Sequence, residues 1–145
     1  MSWAYFDTSA LIKRYVDEPG RREVLRLLRR YDCVTSAVLP VEVRSALRHR
    51  VSEGTLDEAR VRAILKRFIE DRAFWTFVEM SREVLGAAET LAAAHPLRAL
   101  DAIHVASAQL FAARLPPPVP TFVSADDRQT TAAAALGMTT RHIES

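Results

Sequence analysis

The chain has 145 residues, 20 basic against 18 acidic, a formal charge of +2 and 49% hydrophobic residues. That is the size of one domain, read as residues 1–145, with enough apolar material for a sizeable core. The single cysteine, Cys33, excludes an internal disulfide, and no stretch approaches the roughly 18 apolar residues of a membrane span. No basic segment precedes the first short apolar run, so no secretory signal is expected and the protein is expected to be cytoplasmic.

In chain order, "WAYF" reads as a first strand and stops on Asp7, Thr8 and Ser9. "SALIKRYV" places Leu11, Ile12, Tyr15 and Val16 on one helical stripe. "EPGRREVLRLLRR" repeats the pattern, with Val24, Leu27 and Leu28 inside and arginines outside. "CVTS" is a second strand, with Cys33 as a small buried residue. The helix holding "LPVEVRSALRHR" follows it. "LDEARVRAILKRFIEDR" carries Val61, Leu65, Phe68 and Ile69 on one face, with acids at its start and Arg72 at its end to suit the helix dipole.

"FWTFVE" is a third strand, and Phe74, Trp75 and Phe77, like Trp3, are expected in the core rather than as base-stacking platforms. Two alanine-rich helices, "SREVLGAAETLAAAH" and "DAIHVASAQLFAARL", come next. "LPPPVPT" cannot continue a helix and reads as an extended connector to the fourth strand, "TFVSA". "TTRHI" is a fifth, weaker strand. Strands separated by helices imply crossover connections, hence an α/β fold with a central parallel sheet of four to five strands covered on both faces.

In such a sheet, chemistry gathers beyond the carboxyl ends of the strands. Asp7 and Asp126 follow strands directly, Glu42 lies early in the helix after the second strand, and Asp101 lies near the start of a long helix. Asp7, Asp101 and Asp126 could each serve as a helix cap, and Glu42 could be an ordinary helix residue. Together they suggest more. Four carboxylates about 6 Å apart at an effective dielectric near 20 repel by roughly 2–3 kcal/mol per pair, or roughly 15 kcal/mol over six pairs. That rivals the stability of a domain, so a converging set needs a cation or protons. An all-oxygen set without paired cysteines or histidines suits Mg²⁺ or Mn²⁺. A divalent ion held this way is a tool for phosphodiester hydrolysis. Setting these acids aside deepens the positive excess of the remainder, which favours a polyanionic substrate.

"FDTSALIKRYVDEPG", "VEVRSALRHR", "LRALDAIHVASAQ" and "FVSADDR" resemble PIN-domain ribonucleases, and most of all the VapC-like toxins of bacterial toxin–antitoxin pairs. The resemblance implies a three-layer α/β/α sandwich. It implies a Mg²⁺- or Mn²⁺-dependent endoribonuclease that uses a metal-activated water and leaves a 5′-phosphate. Asp7 and Asp101 match the principal metal ligands, Asp126 the fourth acid, and Glu42 the acid that positions or deprotonates the water. Asp127 is a possible substitute for Asp126. Thr8 or Ser9, and Ser124, match supporting hydroxyls that orient water or carboxylate. The resemblance also implies a homodimer and a small antitoxin partner covering the acidic pocket.

His104, three residues after Asp101, is expected in the core or behind the ligands. Arg98 could meet phosphate or pair with a neighbouring acid. Of the arginine runs, Arg44, Arg48 and Arg50 are better placed for RNA than Arg21, Arg22, Arg26, Arg29 and Arg30. Nucleotide-binding glycine motifs are missing from the sequence. The rival readings are a catalytically silent module that keeps the fold and a binding surface, and a metal-dependent nuclease with a role other than a toxin's.

Overall fold

The computed structural model describes residues 2–145. Strand β1 (Trp3–Phe6) leads into a four-residue helix α1 (Thr8–Leu11) that tightens into a 3-10 turn (Ile12–Arg14). Then come α2 (Arg21–Arg30), β2 (Asp32–Ser36), α3 (Leu39–Ser52), α4 (Glu58–Arg72) and β3 (Thr76–Val78). The chain continues through α5 (Arg82–Ala94), α6 (Ala99–Ala113), β4 (Thr121–Ser124), α7 (Asp127–Ala135) and β5 (Thr140–His142).

All pairings are parallel, in the order β3-β2-β1-β4-β5. The central strand therefore has β2 on one side and β4 on the other, with Ala4 opposite both Cys33 and Thr121. Side chains of β1 alternate between faces, as a pleated strand requires. Ala4 and Phe6 enter the core shared with α1–α4, whereas Tyr5 enters the core shared with α5–α7. Both faces are buried, which is why the strands read as unbroken apolar runs. This is the expected three-layer sandwich.

Three details depart from the periodicity. The stripe of Leu11, Ile12, Tyr15 and Val16 is buried as expected, but the backbone carrying it is split between α1 and the 3-10 turn. In α4 the inward position belongs to Ile64, at 3% exposure, while Ile69 is 54% exposed. Four residues (i, i+3, i+4, i+7) make the stripe, and Ile69 falls just past its edge. Phe74 is not core: it sits in the turn between α4 and β3 at 89% exposure, one residue before Trp75 packs against Phe68.

Candidate metal centre and active site

Asp7 follows β1 and Asp126 lies two residues past β4, while Glu42 and Asp101 lie in the first turns of α3 and α6. Asp7 ends the central strand, is 3% exposed, and caps α1 by accepting from the Ala10 N–H at 3.3 Å. The Ser9 hydroxyl donates to its carboxylate, 2.8 and 3.0 Å from the two oxygens, and itself accepts from the Ala125 N–H at 3.0 Å. Ser9 thereby ties the end of β1 to the end of β4. Burial pushes the Asp7 carboxyl above its ordinary range, against the lowering influence of His104 and of the Ser9 and Ala10 donors.

Glu42 sits in the first turn of α3, half-buried. Its Oε1 accepts from the Thr8 hydroxyl at 2.7 Å and lies 2.6 Å from His104 Nε2. Burial alone would raise the Glu42 carboxyl, but the bonds from His104 and Thr8 outweigh it and hold the carboxyl below its usual range. His104 is 1% exposed on α6, and its Nδ1 lies 2.8 Å from the Tyr5 hydroxyl. Burial raises the Tyr5 phenol well above its ordinary value. An ionised Glu42 can only accept, so Nε2 donates across the 2.6 Å contact, and in the neutral ring that leaves Nδ1 to accept from the Tyr5 hydroxyl. The expectation of a core or supporting histidine is met.

Asp101 lies in the first turn of α6 and does not cap it; the capping position is Arg98, whose Nε reaches the Asp101 carboxylate at 3.3 Å. Of the two readings of Arg98, the structure has the pairing with an acid. Asp126 caps α7 through the Arg128 N–H at 2.9 Å. Asp127 points outward, 89% exposed, with its Oδ1 3.3 Å from His142 Nδ1. Ser124, fully buried, accepts from the Asp126 N–H and donates to Gln129 Oε1 at 2.7 Å. Gln129 Nε2 in turn donates to the Asp101 carbonyl at 3.3 Å.

Two hydrogen-bonded runs, Asp7–Ser9 and Ser124–Gln129–Asp101 backbone, abut where the Ser9 and Ser124 hydroxyl oxygens lie 3.4 Å apart with their protons donated elsewhere. The Thr8 hydroxyl carries the connection to Glu42 on the other side. As the side chains stand, no three His, Cys, Asp or Glu groups among the described residues close around a single point. Asp101 and Asp126 are each turned to a neighbour in sequence, Arg98 and the Arg128 N–H, and Glu42 to Thr8 and His104 from other elements. Arg98 is 80% exposed, so releasing Asp101 from it costs little.

A hollow of about 580 Å³ opens beside this network, lined by Thr8, Ser9, Lys13, Arg50, Asp126 and Asp127 among others. Asp126, Thr8 and Ser9 are on its wall; Asp7, Glu42, Asp101 and Ser124 are not. The arginines of α3 are less free than the sequence suggests. Arg48 pairs with Glu58 at 2.6 Å, Arg50 forks onto Glu18, and Arg44 is exposed without an ion pair among the described residues.

Sequence reasoning missed Tyr5, Gln129 and the buried Lys13, whose Nζ is 3.8 Å from Glu18. Lys13 carried a signal, a lysine inside an apolar helical stripe. Gln129, in "DDRQTTAAAA", carried none.

The sequence profile of the PIN domain family matches residues 4–135. The chain belongs to the PIN-domain family. It is 38% identical over 112 residues, 74% of its own length and 76% of theirs, to two proteins of Mycobacterium tuberculosis named Ribonuclease VapC45 (strain CDC 1551 / Oshkosh) and Ribonuclease VapC49 (strain ATCC 25618 / H37Rv). It is 34% identical over 139 residues, 95% of each chain, to Ribonuclease VapC46 of the latter strain. A chain in a toxin–antitoxin complex from Klebsiella pneumoniae shares the fold, with a TM-score of 0.55 at 19% identity over 87% of this chain and 88% of that one.

Proposed function

We propose that this protein is a divalent-metal-dependent endoribonuclease and the toxin of a toxin–antitoxin pair. The observation that carries the reading is Asp7. It is a carboxylate at 3% exposure, ending the central strand, met by hydroxyl and N–H donors and by no ion-pair partner among the described residues. A fold retains a buried acid whose ionised form it disfavours where that charge has a use. The side chains proposed to act with it, Glu42, Asp101 and Asp126, are all oxygen donors, which suits a hard cation such as Mg²⁺ or Mn²⁺. The relatives named as VapC ribonucleases supply the substrate class.

Asp7, Asp101 and Asp126 would hold the cation, with Glu42 beside them. When bound, such an ion neutralises charge on a phosphate and makes water a stronger nucleophile. The rest falls to the chain. Ser9 fixes the Asp7 carboxylate, Ser124 and Gln129 fix the approach of Asp126 and Asp101, and Tyr5 and His104 orient Glu42. Glu42, held ionised, is suited to take a proton from the attacking water. The toxin role brings with it a homodimer, a small antitoxin partner and a cytoplasmic setting.

The test is cleavage of labelled RNA by wild type and Asp7→Asn, with EDTA, Mg²⁺, Mn²⁺ or Ca²⁺. Cleavage that needs Mg²⁺ or Mn²⁺ and disappears in the variant is expected; equal activity in both proteins would sink the mechanism. Coexpression with the short open reading frame adjacent to the gene tests the partner, which should copurify and suppress cleavage. Light scattering tests the dimer.

One observation favours the catalytically silent module: the carboxylates do not close on a single point as they stand. Mn²⁺ titration separates the two readings, since a folded protein that binds no Mn²⁺ is the module.

A further inference from the structure

A second charged hollow lies outside the acidic site, between α2, α4 and the 3-10 turn. It encloses about 420 Å³, and its wall carries Arg14, Arg21, Arg60 and Arg67 over an apolar floor that includes Tyr15 and Ile64. Arg60 and Arg67 are two turns apart on α4 and project on the same side as Ile64. No acidic side chain lines the hollow. The nearest compensation is Asp71, which takes Arg14 at 2.7 and 3.1 Å and reaches Arg67 only at 3.9 Å. Arg21 adds an anomaly. Its Nε is the buried side-chain nitrogen that finds no hydrogen-bond partner among the described residues. A buried donor left unmet costs free energy comparable to a lost hydrogen bond, and Arg21 has no carboxylate of the kind Arg14 has in Asp71 among the described residues. Four forked guanidiniums against one carboxylate make a site for an oxyanion.

The hollow is not isolated. Tyr15 and Arg60 also line a neighbouring hollow, which in turn shares Glu18 and Arg50 with the cleft beside Ser9 and Asp126. Three adjacent hollows therefore lead from the cleft at Asp126, past the Arg50–Glu18 pair and a stretch that also carries Asp17 and Glu53, to the arginine cluster. We infer that the cleft of Arg14, Arg21, Arg60 and Arg67 anchors a phosphodiester of the same RNA strand whose scissile bond lies at Asp7. An acidic peptide has the charge, but the continuity with the acidic site favours a strand that reaches both places. The inference rests on the nuclease reading above.

The test uses the full chain and a fluorescent single-stranded RNA in EDTA, so that binding is read without cleavage. Arg60→Gln/Arg67→Gln changes two exposed side chains and leaves the core intact. Arg82→Gln/Arg114→Gln removes the same charge from the opposite helical layer. Each phosphate contact in single-stranded RNA contributes about 0.7 to the slope of log K on log salt, so the cleft pair should lower that slope by about 1.4. Affinity at low salt should fall about 10-fold or more, and in Mn²⁺ KM should rise with kcat unchanged. The control pair should move affinity less than about 2-fold.

Equal affinity and slope for the two double variants, with wild type still cutting RNA, overturns the inference and leaves the nuclease reading standing. A wild type that neither binds nor cuts RNA overturns both. A cleft pair that holds RNA like wild type but no longer copurifies with its coexpressed small partner marks a peptide site and also overturns the inference.

Discussion

Tyr5 and His104 are 99 residues apart in sequence, and the Tyr5 hydroxyl meets His104 Nδ1 at 2.8 Å in a fully buried contact. Nδ1 accepts that bond, and the other ring nitrogen faces Glu42 as a donor. A core hydrogen bond thereby sets the orientation and charge of a carboxylate at the rim. Tyr5→Phe is expected to leave Nδ1 unmet and to destabilise the protein by about 1–3 kcal/mol in urea unfolding. It should also reduce kcat more than KM, by about 10–100-fold, as partners behind a metal ligand do. An unchanged kcat in a folded variant would remove the proposed orienting role.

Asp7→Asn should abolish activity by at least about 100-fold. Its effect on stability has the opposite sign. The folded carboxyl titrates above its ordinary value because of burial. Its contribution is thus fully present below the ordinary carboxylate pKa and is lost as pH rises through the folded value. Asparagine keeps an acceptor for Ser9 and Ala10 without the charge. Metal-free Asp7→Asn should therefore be at least as stable as metal-free wild type at pH 8, with the gap narrowing toward pH 4. Added Mn²⁺ should raise the Tm of wild type alone.

Asp71 behaves in the other direction. It is 16% exposed at the side chain and takes the Arg14 guanidinium and the Tyr15 hydroxyl, the latter at 2.7 Å. Burial works to raise its carboxyl, but the Arg14 and Tyr15 bonds prevail and hold it below the usual range. Its stabilisation is present above the ordinary carboxylate pKa and is lost as pH falls through the lower folded one. Asp71→Asn should cost about 1.5–3 kcal/mol at pH 7 and progressively less as pH falls below the ordinary carboxylate range, read from urea midpoints across that range.

Two glycines separate backbone strain from crowding. Gly20 has φ +89°, and a Cβ there would meet Ile143 Cγ2 at 2.5 Å and the Glu144 carbonyl oxygen at 2.6 Å. Gly54 has φ +80° and open space around the same position. Gly54→Ala should cost about 1–2 kcal/mol, the left-handed penalty alone. Gly20→Ala should cost clearly more, because the Glu144 backbone cannot move aside like a flexible side chain. Equal losses in thermal unfolding would show that the segment after β5 yields freely.

The strands and their order of helices were legible because a buried parallel sheet writes itself as apolar runs separated by amphipathic ones. "CVTS" and "TFVSA" lie within a residue of β2 and β4. Asp7 and Asp126 show why the acids looked ambiguous: both are helix caps and both stand at strand ends, so the capping reading holds and the metal reading belongs to the proposal. What escaped was contact between distant segments. Gln129 joins Ser124 to the Asp101 carbonyl, and nothing in its neighbours announces it. Phe74 escaped for the reverse reason, since an aromatic beside a strand pattern is usually inside it, and here the turn holds it out at 89% exposure.

The sheet order bears on when the proposed site can assemble during synthesis. β1 is synthesised first, yet its neighbour on the Asp126 side is β4, more than a hundred residues later. A ribosome therefore releases most of the polypeptide before the blade has its second edge. On the proposed nuclease reading, stalled nascent chains ending before Asp126 should leave cellular transcripts whole, because the second edge of the site is not yet made.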